Sequence, residues 1–309
     1  MATIAPDGQL PAGPSSGFIA VNLIVCSVLW GSSYLFIKLM TGEVPALAIA
    51  ASRGLLGGAT LALWSLARGH SPLPRRGEIL PWIVLGTTNG WLPNVLVSYA
   101  LIELSSGPAA MIQAASPLIT ALAAHLAFAE ERLTGRRLGG ILLGFAGVAL
   151  LIGPRLFEGG GTAFSLVAMF GSALSYAAAN LYVRTLPAAA GNPARLALGQ
   201  QMFSGAIATT LALAVLGPVA FRPFGGHLPA MLALGVFATA IPVVAFMRLI
   251  RAAGPTRAAM TGYLVPTVAV VLGVIVLHER LALHQLLGGC IILTGVFMVT
   301  MAPRRTGAA

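Results

Sequence analysis

Polar and aromatic side chains stand in the middle of long apolar runs of this 309-residue chain, at depths where they can meet a solute or each other. Trp30, Tyr34, Asn89, Trp91, Asn94 and Tyr99 lie within such runs, as do Gln113, Tyr176, Asn180, Gln201 and Tyr263. Trp and Tyr ordinarily gather at the membrane–water interface. Trp30, Trp91 and Tyr176, near the middle of their runs, need another environment, and the wall of a partly wet cavity supplies one. Such rings can hold an amphipathic solute with an ammonium group over a π face. The competing reading is packing, with interhelical hydrogen bonds worth under about 1 kcal/mol each.

Arg53, about two turns inside its run, is an intramembrane charge and must face protein or water. Its partner is either a substrate carboxylate or a structural one, freed carbonyls or Glu43, and the structural role is the favoured one. Lys38 and Arg184, near run ends, either snorkel or take part in gating. Pro93, Pro117, Pro242 and Pro266 fall at mid-run positions. Each removes one backbone hydrogen bond and frees a carbonyl, which makes them candidate hinges along a pathway or, more plainly, kinks.

All eight acidic residues fall in tails, connections or run ends, so no carboxylate relay for protons or Na⁺ is expected at mid-membrane. No cofactor, metal site or catalytic centre is expected either. An intramembrane enzyme needs paired acids, a metal cluster or a nucleophile with its base. Cys26 and Cys290, both in apolar runs, make no disulfide framework.

The elements that hold these residues follow from composition. The chain is 57% hydrophobic and 8% charged, with a mean hydropathy of +0.90. Soluble domains carry roughly a quarter charged residues, so the solvent for this surface is the lipid bilayer. The net charge of +10 is scattered singly and in pairs, not gathered in a stripe with interleaved aromatics, which excludes nucleic acid as a partner.

With about 20 apolar residues per crossing, ten helices are expected. They cover about 18–40, 45–67, 79–102, 107–128 and 136–153, then about 163–184, 194–216, 228–250, 256–277 and 284–302. The tails 1–17 and 303–309 are expected to be disordered. With a cytoplasmic N-terminus, 13 basic residues fall on inner connections and ends and 4 on outer ones, leaving Arg53 within a helix. That asymmetry puts both termini in the cytoplasm.

The chain also repeats itself. Trp30, Tyr34 and Lys38 align with Tyr176, Asn180 and Arg184 at a shift of 146. Pro45, Gly57 and Pro81 align with Pro193, Gly205 and Pro229 at 148, and Pro93 and Pro117 with Pro242 and Pro266 at 149. Gly107-Pro108 recurs as Gly254-Pro255, and Glu131-Arg132-Leu133 as Glu279-Arg280-Leu281. Five helices per copy is an odd number, so the second copy enters the membrane from the opposite side. The fold class expected is an all-α membrane protein of two inverted five-helix repeats, 18–153 and 163–302, with a central site opened alternately to each side. Gly135, Gly139, Gly140, Gly144 and Gly147 give the fifth helix a small-residue face, sparser in the tenth, that braces the bundle or forms a homodimer contact.

The segment Ala129-Glu130-Glu131-Arg132-Leu133-Thr134, followed by Gly139-Gly140 and Gly144-Phe145-Ala146-Gly147-Val148, resembles the end of each repeat in EamA-type exporters of the drug/metabolite transporter superfamily. His278-Glu279-Arg280-Leu281 with Gly288-Gly289 and Gly295-Val296 repeats the pattern, and Trp30-Gly31, Arg53 and Pro117 match further family positions. The resemblance implies an exporter or facilitator of small metabolites, often amino acids or similar amphipathic solutes, and the single Lys among 18 basic residues points to GC-rich coding and a bacterial inner membrane. Hydrophobic drugs or phosphorylated sugars are the alternative cargo, although phosphate calls for more than one inward Arg. A non-transporting membrane scaffold is the alternative from another class.

Overall fold

The computed structural model describes residues 15–128, 133–153, 160–186, 192–253, 258 and 260–300. Among them there is no strand, only helix and short connections. In lipid the backbone has no water to bond, so an apolar run must close its hydrogen bonds internally as helix.

The first half holds α1 (Ser16–Lys38), α2 (Ala46–Ala67), α3, α4 and α5 (Gly135–Ile152). Of these, α3 consists of Ile79–Gly86 and Leu92–Glu103 joined by a widened π turn, Thr87–Trp91. In α4 the two segments are Ser106–Gln113 and Ser116–Ala127. The second half holds α6 (Gly160–Thr185), α7 (Pro193–Leu216), α8, α9 (Thr261–Val276) and α10 (Leu283–Thr300). Here α8 runs as Phe224–Leu232, a π stretch Ala233–Ala240, and Ile241–Ala253. Among the described residues eight of these helices are long and apolar enough to cross a bilayer, and α9 is a shorter apolar helix. Ala129 and Glu130, Glu131 and Arg132 of the first Glu-Arg-Leu triplet, the Gly254-Pro255 pair and most of both tails lie outside the described residues.

Three of the four mid-run prolines begin a new helical segment: Pro93, Pro117 and Pro242 sit in its first turn, where the missing N–H costs least. Pro266 does not interrupt its helix as expected. It is carried inside α9, whose other bonds hold the helix through the loss of one. Neighbouring side chains close the breaks. The Ser175 hydroxyl of α6 donates to the Thr88 carbonyl at 2.7 Å, and the Cys26 thiol of α1 donates to the Pro242 carbonyl at 3.5 Å.

The packing obeys the repeat. α1 lies on α8 and α9 as α6 lies on α3 and α4, and α2 lies on α8 as α7 lies on α3. The two most extensive contacts, α5 with α10 and α2 with α7, map onto themselves. Exchanging each helix for its partner five places away therefore returns the most extensive contacts, as a pseudo-two-fold axis through those two requires, while smaller ones, such as α4 with α10 and α1 with α3, lack an equally extensive counterpart among the described residues. Both contacts are made by glycine. A Cβ on Gly54 would collide with the backbone of Gly205, and one on Gly147 would stand 2.7 Å from the Ile292 amide nitrogen. Dispersion contacts and the close approach of small residues, not a hydrophobic driving force, hold helices together in lipid. The small-residue faces of α5 and α10 are spent on each other within one chain, so of the two roles expected for them this structure uses bracing.

Candidate substrate cavity

The ring of α1, α3, α4, α6, α7, α8 and α9 leaves a central cavity of about 950 Å³, with Arg53 of α2 in its wall. That is at the upper end of the ~300–1,000 Å³ range of small-molecule sites. Neither α5 nor α10 supplies a lining residue. Trp30 and Tyr34 of α1, Asn89 and Asn94 of α3, and Gln113 and Pro117 of α4 line it from the first repeat. Tyr176 and Asn180 of α6, Gln201 of α7 and Pro266 of α9 line it from the second. Pro117 and Pro266 cannot bond the carbonyls of Gln113 and Gly262 four residues earlier, and both of those residues line the cavity as well.

Five residues singled out in the sequence stand elsewhere. Trp91 packs with the cluster of Ala46, Ala50, Ala51, Val95 and Ala208, its indole N–H donating to Thr87 Oγ1 at 3.3 Å. Tyr99 is 39% exposed on the outside of the bundle, its ring edge-on to Phe164 at 6.0 Å. Tyr263 turns outward to α10, where its hydroxyl meets Thr300 and its ring meets Phe297. Pro93 and Pro242 are buried in the packing behind the wall. Depth along a helix was readable from the sequence, but an all-apolar helix carries no polar face to fix which way a residue points.

The reverse omission has the same cause. Gln200, Thr239 and Phe246 line the cavity and were not singled out. Gln200 and Asn89 lock α7 to α3. The Asn89 amide donates to Gln200 Oε1 at 2.8 Å and the Gln200 amide to the Asn89 carbonyl at 3.1 Å. Thr239 accepts from Arg53 Nε at 3.0 Å and donates to the Leu234 carbonyl at 2.7 Å inside the π stretch of α8. A π turn leaves carbonyls off register, and this hydroxyl satisfies one of them while holding the guanidinium. Arg53 thus bonds neither freed carbonyls nor Glu43; the Glu43 carboxylate instead meets His227 at 2.8 Å. Trp30 stands edge-on to Phe246 at 5.1 Å, and Ser172 donates to Gln113 Oε1 at 2.9 Å. Gln201 is 5% exposed, and its Oε1 has no hydrogen-bond partner.

The two ends of the cavity differ. Toward one end the lining reaches Val183 and Leu186 at the close of α6, Pro193 at the start of α7 and Thr261 at the start of α9. Toward the other it stops at Ile37, Val97 and Ala110. One turn beyond them Lys38 Nζ donates to the Leu101 and Leu104 carbonyls at 2.6 and 3.0 Å, tying the end of α1 to the end of α3. Glu279 Oε1 accepts from the Ser106 amide at 2.8 Å, which places a carboxylate at the first turn of α4. Although Glu279 lies just ahead of α10 in the chain, it caps a helix of the other repeat. Glu279 and Glu103 are the acids facing Lys38. At the opposite end the Arg184 guanidinium lies 4.9 Å from the Phe128 ring centre. Nearby, Arg195 of α7 grips Glu78 with Nε and Nη2 and the Ser71 and Leu73 carbonyls with Nη1 and Nη2, fastening the 68–78 connection.

Known proteins share this architecture. A solved structure titled "Crystal structure of protein" superimposes with a TM-score of 0.63 over 95% of this chain and all of that one, at 20% identity, which speaks for the fold. The uncharacterized inner membrane transporter YedA of Escherichia coli (strain K12) is 30% identical over 90% of this chain and 89% of its own. The uncharacterized transporter YvbV of Bacillus subtilis (strain 168) is 26% identical over 94% of each. A protein of Chlamydia trachomatis serovar L2 named S-adenosylmethionine/S-adenosylhomocysteine transporter is 31% identical over 44% of this chain and 42% of its own. The EamA-like transporter family matches residues 17–153 and again 163–301, one match for each of the two inverted halves that enclose the cavity. With the helix order, the doubled motif and the relatives in agreement, this chain belongs to the EamA-like transporter family, a group of multi-pass membrane proteins.

Proposed function

We propose that the protein carries small amphipathic metabolites, amino acids or related solutes, through the central cavity by alternating access, as an exporter or facilitator of the inner membrane with both termini in the cytoplasm. The observation that carries this reading is the cavity itself: it lies on the seam of the two halves, mixes aromatic, amide and apolar walls, and extends toward one end while Lys38 and Glu279 tie the other. With basic residues on the inner side, the extended end is the cytoplasmic one. Movement of the halves against each other would loosen the tied end and close the other, with the breaks in α3, α4 and α8 as hinges. The relatives support this reading, one named as an inner membrane transporter and one as a transporter of an amino-acid derivative. Counterflow in proteoliposomes with a panel of labelled amino acids and other metabolites tests it. Exchange of at least one solute by the wild type is expected, and a reconstituted, folded protein that exchanges none would sink the reading.

A further inference from the structure

Resting on that reading of the cavity as the transport site, we propose that Arg53 anchors the single anionic group of the cargo, and that the cargo is an amphipathic monocarboxylate, either free or as the carboxylate end of an amino acid. Arg53 is the one charged residue among the described residues of the lining. The ionisable groups that interact with it are Tyr34 and Tyr176, phenols that are neutral at pH 7. Glu43 is held by His227. Only Nε has an acceptor, Thr239, so the terminal N–H groups of the fork remain open toward the cavity among the described residues. A buried cation left without a counter-charge is unstable relative to one that is paired. The planar fork offers two parallel donors that match a carboxylate, and a bidentate pair of this kind is stronger than neutral hydrogen bonds.

One guanidinium balances one negative charge. A dianionic phosphate ester would leave one negative charge without a partner among the described lining residues, and a cationic solute would meet repulsion with no acid there to offset it. The repeat places Gln201 at the position equivalent to Arg53, a shift of 148. The second half therefore answers the cation with a neutral amide, and no second charge stands opposite Arg53 among the described residues of the wall. Trp30 with Phe246, and Val243, Met247 and Val265, offer the apolar remainder of the wall to the body of the solute.

The test is binding to the purified full-length protein in nanodiscs, by calorimetry, with two series of probes of constant body. These are 3-phenylpropionate, L-phenylalanine and phenethylamine, and 4-methylpentanoate, L-leucine and isopentylamine. Wild type is expected to bind the acids and amino acids and not the amines. Arg53→Gln is expected to weaken the acids at least about 30-fold, the lower range for truncating one partner of a buried charge pair, and Arg53→Lys to recover part of this. Amines bound as tightly as the carboxylates, carboxylates bound by Arg53→Gln as by wild type, or no acid and no amino acid bound by wild type would each overturn the anchor. The acid–amine comparison needs only wild type, so a variant that does not fold leaves it intact. Counterflow separates the two readings: exchange of amines without acids defeats the anchor alone, whereas no exchange of any solute defeats the transport site.

Discussion

Replacing Lys38 with methionine keeps the apolar stem and removes the ammonium that donates to Leu101 and Leu104 at 2.6 and 3.0 Å. Hydrogen bonds to a charged group contribute about 1.5–3 kcal/mol each. Two at the lower value give about 3 kcal/mol, and at about 1.4 kcal/mol per tenfold the equilibrium between the tied and released ends shifts roughly 150-fold. The change is readable by labelling. A cysteine placed by Val97→Cys lies one turn from Leu101 on the cavity wall, in a background where Cys26 and Cys290 are serine. In sealed vesicles an impermeant maleimide should reach it in the Lys38 protein from the side of the α6–α7 junction. In Lys38→Met it should reach it mainly from the opposite side. An unchanged ratio of labelling from the two sides would show that Lys38 does not tie the cavity shut, and the gating scheme built on it would fail.

Gly205→Val should lower thermal stability by about 3 kcal/mol, the upper part of the overpacking range, because its side chain meets the backbone of α2 and not a movable side chain; retained melting temperature in detergent would contradict the close crossing. Thr239→Val keeps the shape but strips Arg53 Nε and the Leu234 carbonyl of their partner. It should cost about 1–3 kcal/mol and speed amide exchange around the π stretch of α8, and unchanged exchange would count against that role. Arg195, with the Arg75 amide, holds the Glu78 carboxyl below the usual carboxylate range. A folded value below the unfolded one means the contribution is complete above about pH 4.3 and is lost as pH falls through the lower folded value. Glu78→Gln should therefore be less stable than wild type near neutrality and lose less stability on acidification below about pH 4. Parallel pH profiles of the two proteins would refute it.

Most of the architecture was written in the period and punctuation of the chain. The run read as 45–67 folds as Ala46–Ala67, and that read as 136–153 folds as Gly135–Ile152, because apolar length and flanking Gly or Pro set a helix in lipid with little help from packing. The interior of the runs was less legible. Pro93 and Pro242 mark the breaks of α3 and α8, but the sequence does not say that the chain widens into π turns before them, since that depends on whether a neighbour such as Ser175 can reach the freed carbonyl. Trp91 and Trp30 look alike as mid-run tryptophans, yet one packs behind the wall and the other forms it. Glu279 illustrates the long-range limit: its partner Ser106 is 173 residues away and in the other repeat, so the residues around α10 do not reveal which helix it caps.

Under the proposed alternating access, the pseudo-symmetry would give the bundle two end states of similar energy. Exchanging the halves preserves the largest helix contacts, so much of the packing is common to both states, and the smaller contacts together with the differences between equivalent residues distinguish them. At the ends the difference is small in kind, Lys38 against Arg184, two cations that each lie near the close of α1 or its counterpart α6. At the centre it is large, Arg53 against Gln201. The ends can thus trade places within the few kcal/mol that a two-state equilibrium tolerates, while the charge at the centre stays fixed on the α2–α7 crossing. On the proposed mechanism a cargo bound there would contact the part of the molecule that the exchange leaves in place, which would let one site serve both sides of the membrane.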